Sequence, residues 1–102
     1  MSYVLGEGGE VEATEVLDGK FLSDGGALMV LWYRGAQYKR KVPRNGLITH
    51  SEAATLCKVR RESVWRWVQA GKLRDFKVRG VSAVSIADLR KHLKDNGYVF
   101  PR

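Results

Sequence analysis

Arginine and glutamine carry donors that read guanine and adenine edges in a major groove, and residues 60–69 of this 102-residue chain, RRESVWRWVQ, hold three arginines and a glutamine. A good bidentate contact of this kind gives roughly 1–3 kcal/mol of discrimination between bases. At about 100° per residue, Val64, Trp67 and Val68 fall on one side of a helix, and Glu62, Trp65, Arg66 and Gln69 fall on the other. The N-terminal residues of a recognition helix usually do the reading, which brings Arg60, Arg61 and Glu62 in beside Arg66. Three readings stand for Trp65: stacking on sugar and phosphate, packing under a neighbouring hairpin, or capping the hydrophobic edge. An arginine-rich amphipathic helix standing alone is also an ordinary solvated surface helix, so its setting carries much of the weight.

That setting is a second helix and a tight turn. Thr49 followed by Glu52 is a capping-box spacing in which hydroxyl and carboxylate satisfy exposed backbone donors at a helix start. Leu47 and Ile48 enter ahead of it. Ala53, Leu56 and Cys57 recur at helical spacing, and the alanines Ala53 and Ala54 allow another helix close. Lys58 and Val59 form the turn, a helix resumes from Arg61 to Ala70, and Gly71 stops it. Val64, Trp67 and Val68 then pack on Ala53, Leu56 and Cys57. After Leu73, Phe76 and Val78 alternate with Lys77 and Arg79, Gly80 permits a turn, and Val84 lies on the return, which makes a small hairpin with a basic side. Ser85 and Asp88 repeat the helix-start signature, Ile86, Leu89 and Leu93 form a buried stripe with Lys91 and Lys94 outside it, and Asn96-Gly97 end the helix. Tyr98, Val99 and Phe100 follow as an apolar tail, either a strap across the domain or a binding peptide.

The segment EAATLCKVRRESVWRWVQAGKL resembles the excisionase and MerR-type helix-turn-helix, whose members typically run E-A-A-x-L-L-G-V-S-x-x-T-V-Y-R-W-I-x-x-G-x-L. The match falls on Glu52, Ala53, Ala54, Leu56, Val59, Val64, Arg66, Trp67, Gly71 and Leu73, without a gap, and FKVRGVSAVSIADLRKHL is similar to that family's two-stranded wing and closing helix. The resemblance covers Leu47 to about Leu93. It implies a winged helix-turn-helix on double-stranded DNA, with Arg61, Glu62, Trp65, Arg66 and Gln69 facing bases and Thr49, Lys58, Arg60, Lys77 and Arg79 holding phosphates. It implies transcription regulation or an accessory role in recombination, in bacterial or phage cytoplasm. Lys58 stands where the family has a turn glycine, Arg60 replaces its small N-cap residue, and Val81 and Ala83 stand where the wing is usually basic. Because helix-turn-helix folds also serve as protein-docking surfaces, an adaptor in a phage packaging or replication complex is the rival reading.

The first 46 residues are a different kind of sequence. The stretch from Val11 to Leu17 alternates, Asp18-Gly19 and Asp24-Gly25-Gly26 are turn signals, and Ala27 to Tyr33 is a nearly continuous apolar run. Arg34-Gly35 turns the chain into Ala36 to Val42, where Tyr38, Arg40 and Val42 oppose Gln37, Lys39 and Lys41. Gly6, Gly8 and Gly9 read as a flexible entry. The expected architecture is α+β: an N-terminal three-stranded antiparallel β-meander over 1–46, followed by the winged helix-turn-helix over 47–102. With Leu28, Val30 and Trp32 on one side of the apolar strand and Met29, Leu31 and Tyr33 on the other, the sheet has two apolar faces to cover. One can rest on the helices. The other can meet a second copy, giving a homodimer, or a docking partner, or be covered internally. Lys39, Arg40, Lys41 and Arg44 are either further phosphate contacts or a charged edge that blocks aggregation.

Charge divides along the same line. Residues 1–26 hold six acids against Lys20, a net of −5, and residues 27–102 hold seventeen bases against five acids, a net of +12. The positive field lies around the candidate reading helix, where it favours a polyanion. Paired carboxylates in a pocket, a nucleophile beside a base and a glycine-rich phosphate loop are all missing from the sequence, so no enzyme activity, cofactor or small-molecule substrate is expected. The single Cys57 excludes an internal disulfide and reads as a core residue, and His50 and His92 lack partners at metal-ligand spacing. No signal-peptide pattern and no apolar run long enough to cross a bilayer is present, which makes a soluble, cytoplasmic protein the expectation.

Overall fold

The computed structural model describes the backbone of residues 2–5, 9–12 and 15–100, and the side chains of 15–100. It is an α+β structure. A two-stranded hairpin, β1 (Ser2–Leu5) and β2 (Gly9–Glu12), precedes an antiparallel meander of β3 (Glu15–Phe21), β4 (Ala27–Tyr33) and β5 (Ala36–Val42) in the order β3-β4-β5. The chain continues through β6 (Leu47–Thr49), α1 (His50–Cys57), α2 (Arg61–Gln69), β7 (Phe76–Val78), β8 (Val81–Ser85) and α3 (Ile86–Asp95), with a second antiparallel sheet in the order β6-β8-β7.

The three-stranded meander is present, but its first strand differs from the expectation. Residues 13–14 of the expected strand lie outside the described residues, as do Gly6 and Gly8 of the expected flexible entry; Gly9 opens β2. Asp18-Gly19, expected as a turn, sits inside β3. The aspartate still makes its local bond, Oδ1 accepting the Gly19 N–H at 2.8 Å, but the result is a register shift between Val16 and Asp18 rather than a reversal. A Cβ on Gly19 would lie 2.8 Å from Met29 Cε and 3.4 Å from Leu56 Cδ1, so glycine here lets α1 settle close against the sheet. Asp24-Gly25-Gly26 does turn the chain, with Asp24 Oδ1 accepting the Gly26 N–H at 2.9 Å.

The two faces of β4 are not equally covered. Ala27, Met29 and Leu31 are buried, whereas Leu28 and Val30 are half-buried and Trp32 is 40% exposed. On the buried side Phe21, Met29, Leu31 and Val42 join Ile48, Leu56, Val64, Leu73, Val84, Ile86 and Leu89 in one hydrophobic cluster, so segments 1–46 and 47–102 contribute to the same core. Two polar ties reinforce it. Arg40 of β5 donates from Nη1 to Glu52 Oε2 at 2.8 Å and from Nη2 to the Leu47 carbonyl at 3.2 Å, and the Ile86 N–H donates to the Gly46 carbonyl at 3.0 Å.

The wing-like hairpin holds one strand more than expected, because Leu47 and Ile48 pair with Ser85 and Val84 before the chain enters α1. The tail crosses back to the meander: the Phe100 ring meets Phe21 edge-on at 4.9 Å and the Arg90 guanidinium lies 4.1 Å over Phe100. Of the two readings of the tail, this contact matches the strap.

Candidate nucleic-acid interface

The scaffold of the site begins at the α1 cap. Thr49 Oγ1 accepts the Glu52 N–H at 3.2 Å and Glu52 Oε1 accepts the Thr49 N–H at 3.0 Å, which closes the capping box. At the other end Lys58 takes a left-handed conformation, φ 58, and the Val59 N–H donates to the Ala54 carbonyl at 3.0 Å. That conformation costs a non-glycine residue roughly 1–2 kcal/mol, and the geometry is what a turn glycine would otherwise supply.

From this turn the chain enters α2. Arg60 is its N-cap and makes no side-chain capping bond. Val64 is fully buried, Trp67 and Val68 pack partly buried against the core, and the Trp67 ring lies 4.6 Å from His92. Gly71, at φ 76, follows the helix end, and the Lys72 N–H reaches back to the Trp67 carbonyl at 2.9 Å. On the opposite side Arg61, Glu62, Trp65, Arg66 and Gln69 are all exposed, Trp65 by 55%. Among the described residues, the Arg60, Arg61 and Arg66 guanidinium groups take part in no hydrogen bond or salt bridge.

The hairpin of β7 and β8 turns at Arg79 and Gly80, both left-handed at φ 53 and 77. Positive φ at both central residues is the two-residue turn that matches strand twist. It sets Arg79 at the exposed tip and Lys77 one residue into β7, where its ammonium donates to Ser82 Oγ and lies 3.9 Å from Asp75. Between α2 and this hairpin Arg74 grips Asp88 through Nε at 2.9 Å and Nη2 at 3.2 Å, and the Asp88 N–H donates to Ser85 Oγ at 3.0 Å, so the start of α3 is tied to the loop after α2.

No family model, curated protein or solved structure matches the chain. What the site can do follows from its own side chains.

Several groups expected at phosphates, Lys77 among them, are otherwise engaged. Thr49 is only 7% exposed and its hydroxyl accepts the capping bond, because the box that starts α1 requires it turned inward. Lys58 donates to Asp18 Oδ1 at 2.8 Å. That bond, then the Gly19 N–H, holds the Asp18 carboxyl below its usual range. As a pair between two exposed groups it contributes little and yields readily to a competing anion. Arg40, one of two open readings as a phosphate contact, is committed to Glu52. Glu52 is fully buried; burial raises its pKa, and Arg40 and the Thr49 backbone act against that rise. Lys41 pairs with Asp24 at 3.0 Å on the surface.

His50 was legible only as a histidine without metal partners, yet it occupies the junction of the site. It is the first residue of α1, 9% exposed, with Nε2 buried and without a hydrogen-bond partner among the described residues. Burial lowers its pKa; Asp75 opposes this, and Arg61 and Lys77 add to it. The imidazole therefore feels the start of α2 and the β7 segment together, a long-range arrangement with no local sequence signal. Cys57 is a half-buried thiol whose pKa burial pushes up to about 12, which keeps it protonated.

Proposed function

We propose that this chain is a sequence-specific double-stranded DNA-binding protein whose residues 47–102 form a winged helix-turn-helix of the excisionase and MerR type. In this reading α2 lies in a major groove with Arg61, Glu62, Arg66 and Gln69 toward base edges and Trp65 against the groove wall. Arg60, Lys77 and Arg79 grip phosphates, and Lys58 joins them by exchanging Asp18 for the backbone. The outcome is control of transcription or assembly of a recombination complex.

The observation that carries the reading is the contrast within one helix. Its apolar side is built into the core, while three arginines at and along its other side, Arg60, Arg61 and Arg66, have no internal counter-ion among the described residues. Unneutralised guanidinium groups on a rigid helix are what a phosphate-lined groove attracts. The net of +12 over residues 27–102 acts in the same direction.

The test is titration of the purified chain with mixed duplex DNA at two salt concentrations. A phosphate-gripping reader loses affinity steeply with salt, and no binding at low salt sinks the proposal. A second reading, a protein-docking adaptor, draws on Trp65, since a large aromatic standing 55% exposed beside arginine is typical of protein interfaces. Absence of DNA affinity together with capture of a protein partner that Trp65→Ala abolishes would favour it.

A further inference from the structure

The side of the meander turned away from the helices carries an apolar ridge, with Leu28 and Val30 half-buried and Trp32 40% exposed, and charges of opposite sign on its two flanks. Residues paired across antiparallel strands share a face, and the register gives three rows: Glu15–Trp32–Gln37, Asp18–Val30–Lys39 and Lys20–Leu28–Lys41. The β3 flank thus presents Glu15 and Asp18, the latter already in an exposed pair with Lys58 at 2.8 Å that exchanges readily, and the β5 flank presents Lys39 and Lys41. Lys20 departs from this division, and the charge it would oppose, that of Lys41, is already met by Asp24 at 3.0 Å.

We propose that this face is where two copies of the chain meet, stacked sheet on sheet about a two-fold axis parallel to β4. That axis, unlike one across the strands, sets the β3 flank of each copy over the β5 flank of the other. Val30 then meets Val30 at the centre, and each Asp18 meets the partner copy's Lys39. An axis across the strands would reverse the order of the rows and lay Asp18 on Asp18 and Lys39 on Lys39. Self-complementarity is the requirement for a closed dimer, and the aligned stacking is the ordinary geometry for two twisted sheets.

The face is small. Seven residues per strand and three strands span about 24 by 14 Å at the usual rise and spacing. That lies below the roughly 800 Å² per partner of a standard interface, so the dimer dissociates at micromolar concentration or above. A DNA site with two half-sites would then add the second copy cooperatively, although self-association itself does not depend on DNA binding.

The experiment is sedimentation equilibrium of the full chain without DNA, from about 10 μM to about 1 mM. The expected result is a mass that rises from monomer to dimer and stops there. Lys39→Glu weakens association by about tenfold, and combining it with Asp18→Lys restores it to within about threefold, while urea midpoints stay near that of the parent. Val30→Lys abolishes it. A chain still monomeric at the highest concentration overturns the proposal, as do growth beyond a dimer, an unchanged Lys39→Glu variant, or failure of the charge exchange to restore association. Should Val30→Lys fail to fold, the exposed charge pair decides alone.

Discussion

Arg40 and Arg66 are the same residue type in the same small protein, and they have opposite fates. Arg40 lies against the inner side of the meander, bonded to a carboxylate with no exposure of its own and to a backbone carbonyl, and it joins β5 to the cap of α1. Arg66 projects from α2 without a hydrogen bond or salt bridge for its guanidinium among the described residues. A positive total charge does not distinguish them. What does is whether a fixed anion has been built opposite, and the difference separates cations spent on architecture from cations left for a partner.

The largest effect that can break this comparison is at Arg40. Arg40→Ala leaves Glu52 buried without its counter-ion and is expected to cost about 3–5 kcal/mol of stability in urea denaturation, a large share of what a small domain has. A loss below about 0.5 kcal/mol, the range of ordinary surface substitutions, would mean that the two arginines are not different after all. Arg66→Ala should do the reverse, leaving the urea midpoint unchanged while weakening specific DNA binding by roughly 1–3 kcal/mol. If the loss proves equal on every duplex tested, Arg66 holds phosphate instead of reading bases.

A smaller effect comes from acid. The folded-state pKa of His50 is lowered by burial from 6.5. The unfolded chain therefore binds the proton more readily, and stability is complete above about pH 6.5 and falls as pH drops through that value. Glu52, raised by burial from 4.5, contributes in the other direction: its protonated form suits the folded state, so its contribution is lost as pH rises through the raised value. His50→Asn should remove the slope just below pH 6.5 in a urea series, and an unaltered slope assigns it elsewhere. The smallest effect is at the surface. Asp18→Asn frees Lys58 and should raise DNA affinity by about twofold at low salt with the urea midpoint unchanged; weaker binding would show that Lys58 does not reach the backbone.

Legibility followed the range of the interaction. Both helix starts, Thr49 with Glu52 and Ser85 with Asp88, could be read because their partners lie three residues apart. The turn at Lys58 and Val59 and the reversals at Arg34-Gly35 and Gly80 were marked by signals just as local, whereas the left-handed backbone at Lys58 was found only in the folded chain. Gly19 misled, since a glycine demanded by close approach of Met29 and Leu56 carries the same letter as one demanded by a turn. The partner of Arg40 lies twelve positions away and that of Lys58 forty, so no local pattern announces either. Burial on α2 followed from periodicity, yet which of its neighbouring cations were already neutralised became visible only once the chain was folded. His50 is the sharpest case: its pKa is lowered first by burial, and the charges that modify it, Asp75, Arg61 and Lys77, come from α2 and the β7 segment.

Among the described residues, every non-glycine position held at positive φ is a cation: Arg34 at 47, Lys58 at 58 and Arg79 at 53. Asparagine or glycine sits more comfortably in such a backbone. Heat tolerance has thus been left on the table at three turns in exchange for where a positive group stands. A selection for thermal resistance alone should therefore drift toward asparagine or glycine at these codons first, and each gain would remove one charge from a bend in the chain.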